Sequence, residues 1–163
     1  ELEYHSERFL MAEHTPLAAL DLTGRISTAG CSVNDATPAL IKLPAAMLDH
    51  FGGVGKTTGD TPFALQLDCN SAVTISLRVD GAEPLSARGH GVLRNDATDD
   101  RAQGIGVQLL YHRQPVALNH EMTLGSASAG RFILQLTARY YQTRPRITAG
   151  QVSAVATYTL HYD

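Results

Sequence analysis

The sequence has no tryptophan, only two cysteines, and no apolar run approaching the roughly 18 residues that a membrane-spanning helix needs. Its 163 residues carry a net charge of -3, and the 13 Lys and Arg residues are scattered along the chain. This charge pattern lacks the basic patch typical of proteins that bind nucleic acid or an anionic membrane surface. We therefore expect one globular domain with no nucleic-acid partner.

Motifs for catalysis and metal binding are also missing. The seven histidines show neither an HExxH pattern nor the Cys/His spacing of zinc sites. There is no GxSxG nucleophile elbow, and Asp99 and Asp100 lie in a polar stretch, NDATDDR, that suits a solvated loop. The sequence therefore predicts a protein that is not an enzyme and has no metal and no cofactor.

One stretch, FGGVGKTTGD at Phe51–Asp60, looks like the phosphate-binding loop of nucleotide-binding ATPases. The register fails, because His50 stands where the first Gly of GxxxxGK[ST] belongs. The context fails too, because phosphates bind at the start of a helix, and a helix starting at Lys56 would meet Gly59 and Pro62 within two turns. We therefore predict no nucleotide partner.

The sequence is rich in alternating apolar and polar residues, with many Thr, Val, Ile and Tyr and with fourteen glycines between the alternating stretches. Phe63, Leu65 and Leu67 alternate into Cys69, and the apolar residues of Val73–Val79 alternate with polar ones, so we predict two consecutive antiparallel strands. Only Leu43–Phe51 favours helix, for a turn or two. Further strands are predicted over Gly104–His112, near Val116 and Met122, over Phe132–Gln142 and over Gln151–Tyr162. Seven or eight such strands are typical of an antiparallel sandwich.

The two ends of the chain show the most regular alternation. From Ala18 to Val33 the pattern predicts a strand whose apolar face begins with Ala18, Leu20, Leu22, Gly24 and Ile26. In the last strand, one face holds Val152, Ala154, Ala156, Tyr158, Leu160 and Tyr162. Gly150 precedes that face as the fourteenth residue from the end.

This C-terminal pattern resembles the signature of pilus subunits assembled by the chaperone-usher pathway, in which a Gly at this distance precedes a penultimate aromatic residue. Gly150 and Tyr162 match it. Thr23–Val33 and Thr61–Cys69 are similar to the first two strands of these subunits. The residues alone leave open whether Cys31 and Cys69 form a disulfide or two buried thiols. The resemblance implies the disulfide that joins the first two strands.

The resemblance also implies an all-β fold: an incomplete immunoglobulin-like β-sandwich that lacks its last strand and is completed by donor-strand complementation. The strand over Gly150–Tyr162 would border an open apolar groove, which a periplasmic chaperone covers first and the donor strand of the next subunit covers later. We expect residues 1–16 to be an N-terminal extension, 17–27 the donor strand and 28–163 the pilin domain. Alternatively, the residues of 17–27 belong wholly to the subunit's own first strand.

These expectations predict a structural subunit of a bacterial surface fimbria that polymerises by donor-strand exchange and supports adhesion. Its expected partners are a periplasmic pilus chaperone, an outer-membrane usher and neighbouring pilin subunits. Its expected location is the periplasm in transit, then the extracellular fimbrium. Two alternatives remain: a chain-terminating or anchoring pilus subunit, because residues 1–16 precede the donor segment as an extra stretch, and the pilin domain of a tip adhesin.

Overall fold

Most strands of the described residues form two sheets whose apolar faces share one core. The computed structural model describes residues 8–9, 18–26, 31–34, 37–97 and 100–162. The strands, numbered in chain order, are β1 (Arg8–Phe9), β2 (Ala18–Ile26), β3 (Cys31–Val33), β4 (Leu40–Leu43), β5 (Thr57–Cys69), β6 (Val73–Asp80), β7 (Val92–Leu93), β8 (Ile105–Tyr111), β9 (Gln114–Pro115), β10 (Glu121–Ala127), β11 (Gly130–Gln142), β12 (Gly150–Gln151) and β13 (Ser153–Tyr162). Among the described residues, no helix is long and apolar enough to cross a membrane.

The first sheet has the strand order β10-β6-β13-β2-β4. The second has the order β3-β5-β11-β8-β7, with β9 paired to β8, and β1 pairs with β12 outside both sheets. Among these pairs β2 and β13 run parallel, whereas β13 and β6, and β2 and β4, run antiparallel. The architecture confirms the all-β prediction.

The strict alternation in β5 and β6 is confirmed by burial. Their apolar residues face the core, and the polar residues between them are exposed or half-buried. The buried set is Phe63, Leu65, Leu67, Cys69, Val73, Ile75, Leu77 and Val79. The two consecutive strands do not pair with each other: β5 lies in the second sheet and β6 in the first, so each contributes its apolar face to a different side of the core.

The predicted single strand from Ala18 to Val33 is two strands in different sheets. β2 lies in the first sheet between β13 and β4, whereas β3 pairs with β5 in the second. Alternation reports which side of a strand faces the core, and both sheets face the same core. The pattern therefore continues across the change of sheet without marking it.

The predicted helical segment Leu43–Phe51 is also different in the structure. Leu43 ends strand β4, and the only helical part of the segment is a 3-10 turn at Leu48–His50. The carbonyl oxygen of Pro44 accepts a hydrogen bond of 2.6 Å from the hydroxyl of Tyr140, which holds the segment extended against β11. Tertiary contact thus overrides a weak local helix preference.

The Gly-rich stretch that looked like a phosphate loop is fastened to the end of β11. The Gly53 amide donates to Oε1 of Gln142 at 3.0 Å, and the Gly55 amide donates to the Gln142 carbonyl oxygen at 2.9 Å. Strand β5 begins at Thr57, directly after Lys56, where a phosphate loop needs a helix. These amides therefore serve the connection between β4 and β5.

The disulfide between Cys31 and Cys69 is present and joins β3 to β5. The two residues stand opposite each other in the antiparallel register, and Cys69 is buried. The disulfide implied by the family resemblance is therefore confirmed. It ties the segment after β2 to the second sheet.

Replacing both cysteines by Ala should lower the free energy of unfolding by about 4 kcal/mol, because the cross-link restricts the unfolded chain over a long loop. The sequence separation of the pair is 38 residues. Urea unfolding of the variant and the wild type measures the difference. Ser32→Ala, at the exposed residue between Cys31 and Val33, is the control. A loss below about 1 kcal/mol in the cysteine variant would contradict this role.

Candidate functional site

Strand β13 is the centre of the candidate site. Each of its two edges pairs with a strand from a different part of the chain. On one edge, Thr157–Tyr162 pairs with β6. On the other, Ser153–Leu160 pairs with β2, and β2 pairs in turn with β4. We call the position between β13 and β4 the groove. In this structure the N-terminal segment of the same chain fills it.

The inner face of β13 lies in the core. The residues of the predicted groove strand have exposed fractions of 0 to 5%: Val152, Ala154, Ala156, Tyr158 and Leu160. Val155, on the opposite face, is 45% exposed. Tyr162 lies at the end of β13, and its side chain is outside the described part of the structure. The residues predicted to share one face of the strand therefore do share the buried face of β13.

The predicted donor residues stand beside this inner face, in register. The paired residues are Leu20 with Ala154, Leu22 with Ala156, Gly24 with Tyr158, and Ile26 with Leu160, while Ala18 pairs with Leu43 of β4. Paired residues of neighbouring strands lie on the same face of a sheet. Leu20 is fully buried, and the other side chains of β2 are outside the described part. The structure thus brings the two predicted sets together.

Gly24 stands next to the bulkiest side chain of the inner face. Its register partner is Tyr158, whose exposed fraction is 5%. The glycine expected in a donor strand therefore lies beside a buried aromatic side chain of β13.

Gly150 has a different physical reason. A Cβ atom at this position would lie 2.5 Å from the Ala102 nitrogen and in contact with the Asp100 carbonyl oxygen. These atoms are close because the Gln151 amide donates to Asp100 O at 2.6 Å and the Ala102 amide donates to Gln151 O at 2.9 Å. Any side chain at position 150 would push this backbone away. The signature glycine is thus required within the subunit.

Asn95 is a buried polar residue that the sequence did not reveal. Its Nδ2 donates to the carbonyl oxygens of Ala102 (2.9 Å) and Gln151 (2.8 Å). Its Oδ1 accepts from the amides of Ala97 and Ser153, both at 3.0 Å. It belongs to the NDATDDR stretch predicted to be solvated, which is wrong for Asn95 at 5% exposure. Polar composition gave no signal, because two of its partners, Gln151 and Ser153, are distant in sequence.

The predicted solvated position of Asp100 is confirmed by its exposure, whereas Asp99 lies outside the described residues. Across the described ranges, no three His, Cys, Asp or Glu side chains gather as metal ligands would. This part of the fold therefore offers the buried apolar face of β13, the edge of β13 that pairs with β2, and a hydrogen-bonded segment around Asn95.

Comparison with known proteins gives consistent matches. A family profile described as "Fimbrial protein" matches residues 20–163. A fimbria adhesin protein of Klebsiella pneumoniae is 32% identical over 122 residues, which cover 68% of this chain and 38% of that protein. The fimbrial-like protein SfmA of Escherichia coli K12 is 29% identical, with 86% of this chain and 82% of SfmA covered.

Among solved structures, a subunit of a chaperone-usher pilus matches with a TM-score of 0.60 and 16% identity, covering 84% of this chain and 90% of that one. At this identity the match shows the fold. The chain spans less than half the length of the Klebsiella protein, so that protein contains further sequence with no counterpart here.

Replacing Asn95 by Ala should lower the free energy of unfolding by about 3 kcal/mol, because it leaves buried backbone groups without partners. Chemical denaturation measures the change. Asn70→Ala, at an exposed residue after β5, is the matched control and should change stability by less than about 0.5 kcal/mol. Equal effects of the two substitutions would contradict the role of Asn95.

Burial raises the pKa of the Tyr158 phenol above its ordinary value of 10.0, because the core desolvates the anion. The unfolded chain ionises this phenol near pH 10 and the folded chain resists, so the stability is full below that pH and falls as the pH rises toward the folded pKa. Tyr158→Phe should remove this part of the loss. Urea unfolding from about pH 8 to about pH 11 tests it. Identical pH dependence in both proteins would contradict it.

Proposed function

Because the chain belongs to the fimbrial protein family, we propose that it is a structural subunit of a bacterial surface fimbria that assembles by donor-strand exchange. The family is structural rather than enzymatic. One observation carries the proposal: the strand that fills the groove beside β13 comes from the N-terminal segment rather than from a neighbour of β13 in the sequence.

The groove cannot stay empty in water. Without β2, the edge of Ser153–Leu160 and the facing edge of Leu40–Leu43 would both lose their hydrogen-bonded partner, and the apolar face between them would be exposed. Such an edge pairs with any available strand. An identical N-terminal segment from a second subunit has the right sequence to fill it, with main-chain hydrogen bonds giving affinity and alternate side chains giving fit.

Strand direction gives the exchange a driving force. The chain's own β2 runs parallel to β13. Parallel pairs are slightly less stable per residue than antiparallel pairs. An incoming donor strand that runs antiparallel to β13 would gain antiparallel pairing along Ser153–Leu160 and would lose it along the shorter edge Leu40–Leu43, so the longer edge gives the net gain.

The proposed partners follow from the need to cover the groove before assembly. A periplasmic pilus chaperone would lend a strand to β13, an outer-membrane usher would bring chaperone-bound subunits together, and a neighbouring subunit would then supply the donor. The Cys31–Cys69 disulfide is compatible with passage through an oxidising compartment such as the periplasm. Fimbrial subunits end as extracellular surface appendages, which is the final location proposed.

A second candidate function is the pilin domain of a tip adhesin. It is favoured by the match to the Klebsiella adhesin, of which this chain covers 38%. A tip domain accepts a strand and does not donate one, so a working donor segment at Ala18–Ile26 separates the two functions. A chain-terminating or anchoring subunit would instead donate a strand and accept one poorly.

A peptide spanning residues 15–28 should displace the chaperone from the chaperone-bound protein and raise the melting temperature of the released subunit. The Gly24→Leu peptide should fail, because residue 24 has the same parity as Leu20 and Leu22 and therefore faces the core, where an added Leu side chain would overpack the groove. Native gel analysis and thermal unfolding measure the two effects.

The matched control is the Asp21→Leu peptide, which changes the opposite parity of the strand and should still exchange. If the wild-type peptide neither displaces the chaperone nor stabilises the subunit, donor-strand exchange through this segment is wrong. Exchange by both variant peptides would contradict the role given to Gly24.

A further inference from the structure

Two described residues of the N-terminal extension pair with the body of the fold. Arg8 and Phe9 form β1, which runs antiparallel to β12, with Arg8 opposite Gln151 and Phe9 opposite Gly150. Strand β12 leads through Val152 into β13. The pairing therefore covers Gly150–Gln151, which we call the foot of β13. The residues of β13 that pair with β2 begin two positions later, at Ser153.

The foot is held in place by hydrogen bonds within the subunit. Asn95 holds the Gln151 carbonyl oxygen, and the segment Asp100–Ala102 bonds to Gln151 from one side. The backbone of Gly150 is held close to this segment, with no room for a side chain. A strand that pairs here meets a fixed partner, so little further ordering of the foot opposes the pairing.

This pairing belongs to the state in which the chain fills its own groove. There, the parallel pairing of β2 with β13 begins with Ala19 beside Ser153, two residues after Gln151 of β12. In an antiparallel donor, Ala19 would lie near Leu160, roughly 33 Å from Gly150 at about 3.3 Å per residue. The donor strand itself would occupy the edge between them. The ten residues from Ala19 back to Phe9 span at most about 36 Å when fully extended, so an extension that has to pass around the donor does not reach the acceptor's foot.

We propose that β1 is a latch: it holds the chain's own strand in the groove and slows the entry of a donor strand from another subunit. The inference rests on the proposed function, because it concerns regulation of the same groove. A contact made in one of two states favours that state by its own free energy.

The latch is tested by the rate at which a fluorescent peptide of residues 15–28 enters the groove of the isolated subunit. Four proteins are compared: the full chain, a deletion of residues 1–7 that keeps β1, a deletion of residues 1–16 that removes it, and the double variant Arg8→Pro, Phe9→Pro. The prolines remove the amide donors of β1 and leave the length unchanged. Hydrogen exchange at Ser153–Leu160 checks that each variant keeps β2 in place.

The deletion of 1–16 and the double-proline variant should accept the peptide about tenfold faster than the full chain, as loss of the backbone pairing between β1 and β12 implies. The deletion of 1–7 should match the full chain. Equal rates in all four proteins would overturn the latch while leaving strand exchange intact. Acceleration by the deletion of 1–7 alone would also overturn it. Failure of the peptide to enter any of the four would overturn the proposed function, and the latch with it.

Discussion

Strand β13 buries one face in the core and needs a hydrogen-bonded neighbour on each edge, and the rest of the architecture follows from how the second edge is covered. Strand β6 pairs with one edge, while the other pairs with β2, which stands at the opposite end of the sequence. No short hairpin ties this neighbour to β13. An identical segment from another copy can therefore take its place with the same core residues around it, which is the physical basis of a swapped assembly.

Two glycines control this arrangement for different reasons. Gly150 is fixed within the subunit, because the backbone of Asp100–Ala102 occupies the space that a side chain would need. Gly24 is set by a neighbouring strand, because it stands opposite the buried ring of Tyr158. A substitution at the first position damages the fold, whereas a substitution at the second damages the fit between a strand and its groove. The two positions thus separate folding from recognition.

Alternation predicted the strands and their buried faces, because a two-residue period shows which side of a strand meets the core. The inner parity of β13 and of β5 could be predicted in this way. The same pattern gave no information about partner or direction, so the change of sheet after Ile26 and the parallel course of β2 were missed. Asn95 was missed because its partners Gln151 and Ser153 are more than fifty residues away. A polar residue shows its burial only through such contacts.

The central claim is that the groove beside β13 is filled from another subunit in the assembled fibre. Fibres grown from an equal mixture of 15N-labelled and 13C-labelled subunits test it most directly, because solid-state NMR contacts between the two isotopes arise only between subunits. Contacts between 15N and 13C nuclei are expected between the Ala18–Ile26 segment of one subunit and Ser153–Leu160 of another. If these contacts are absent from the mixed fibre but present in a fibre of subunits that each carry both labels, every chain keeps its own strand, and the central claim is wrong.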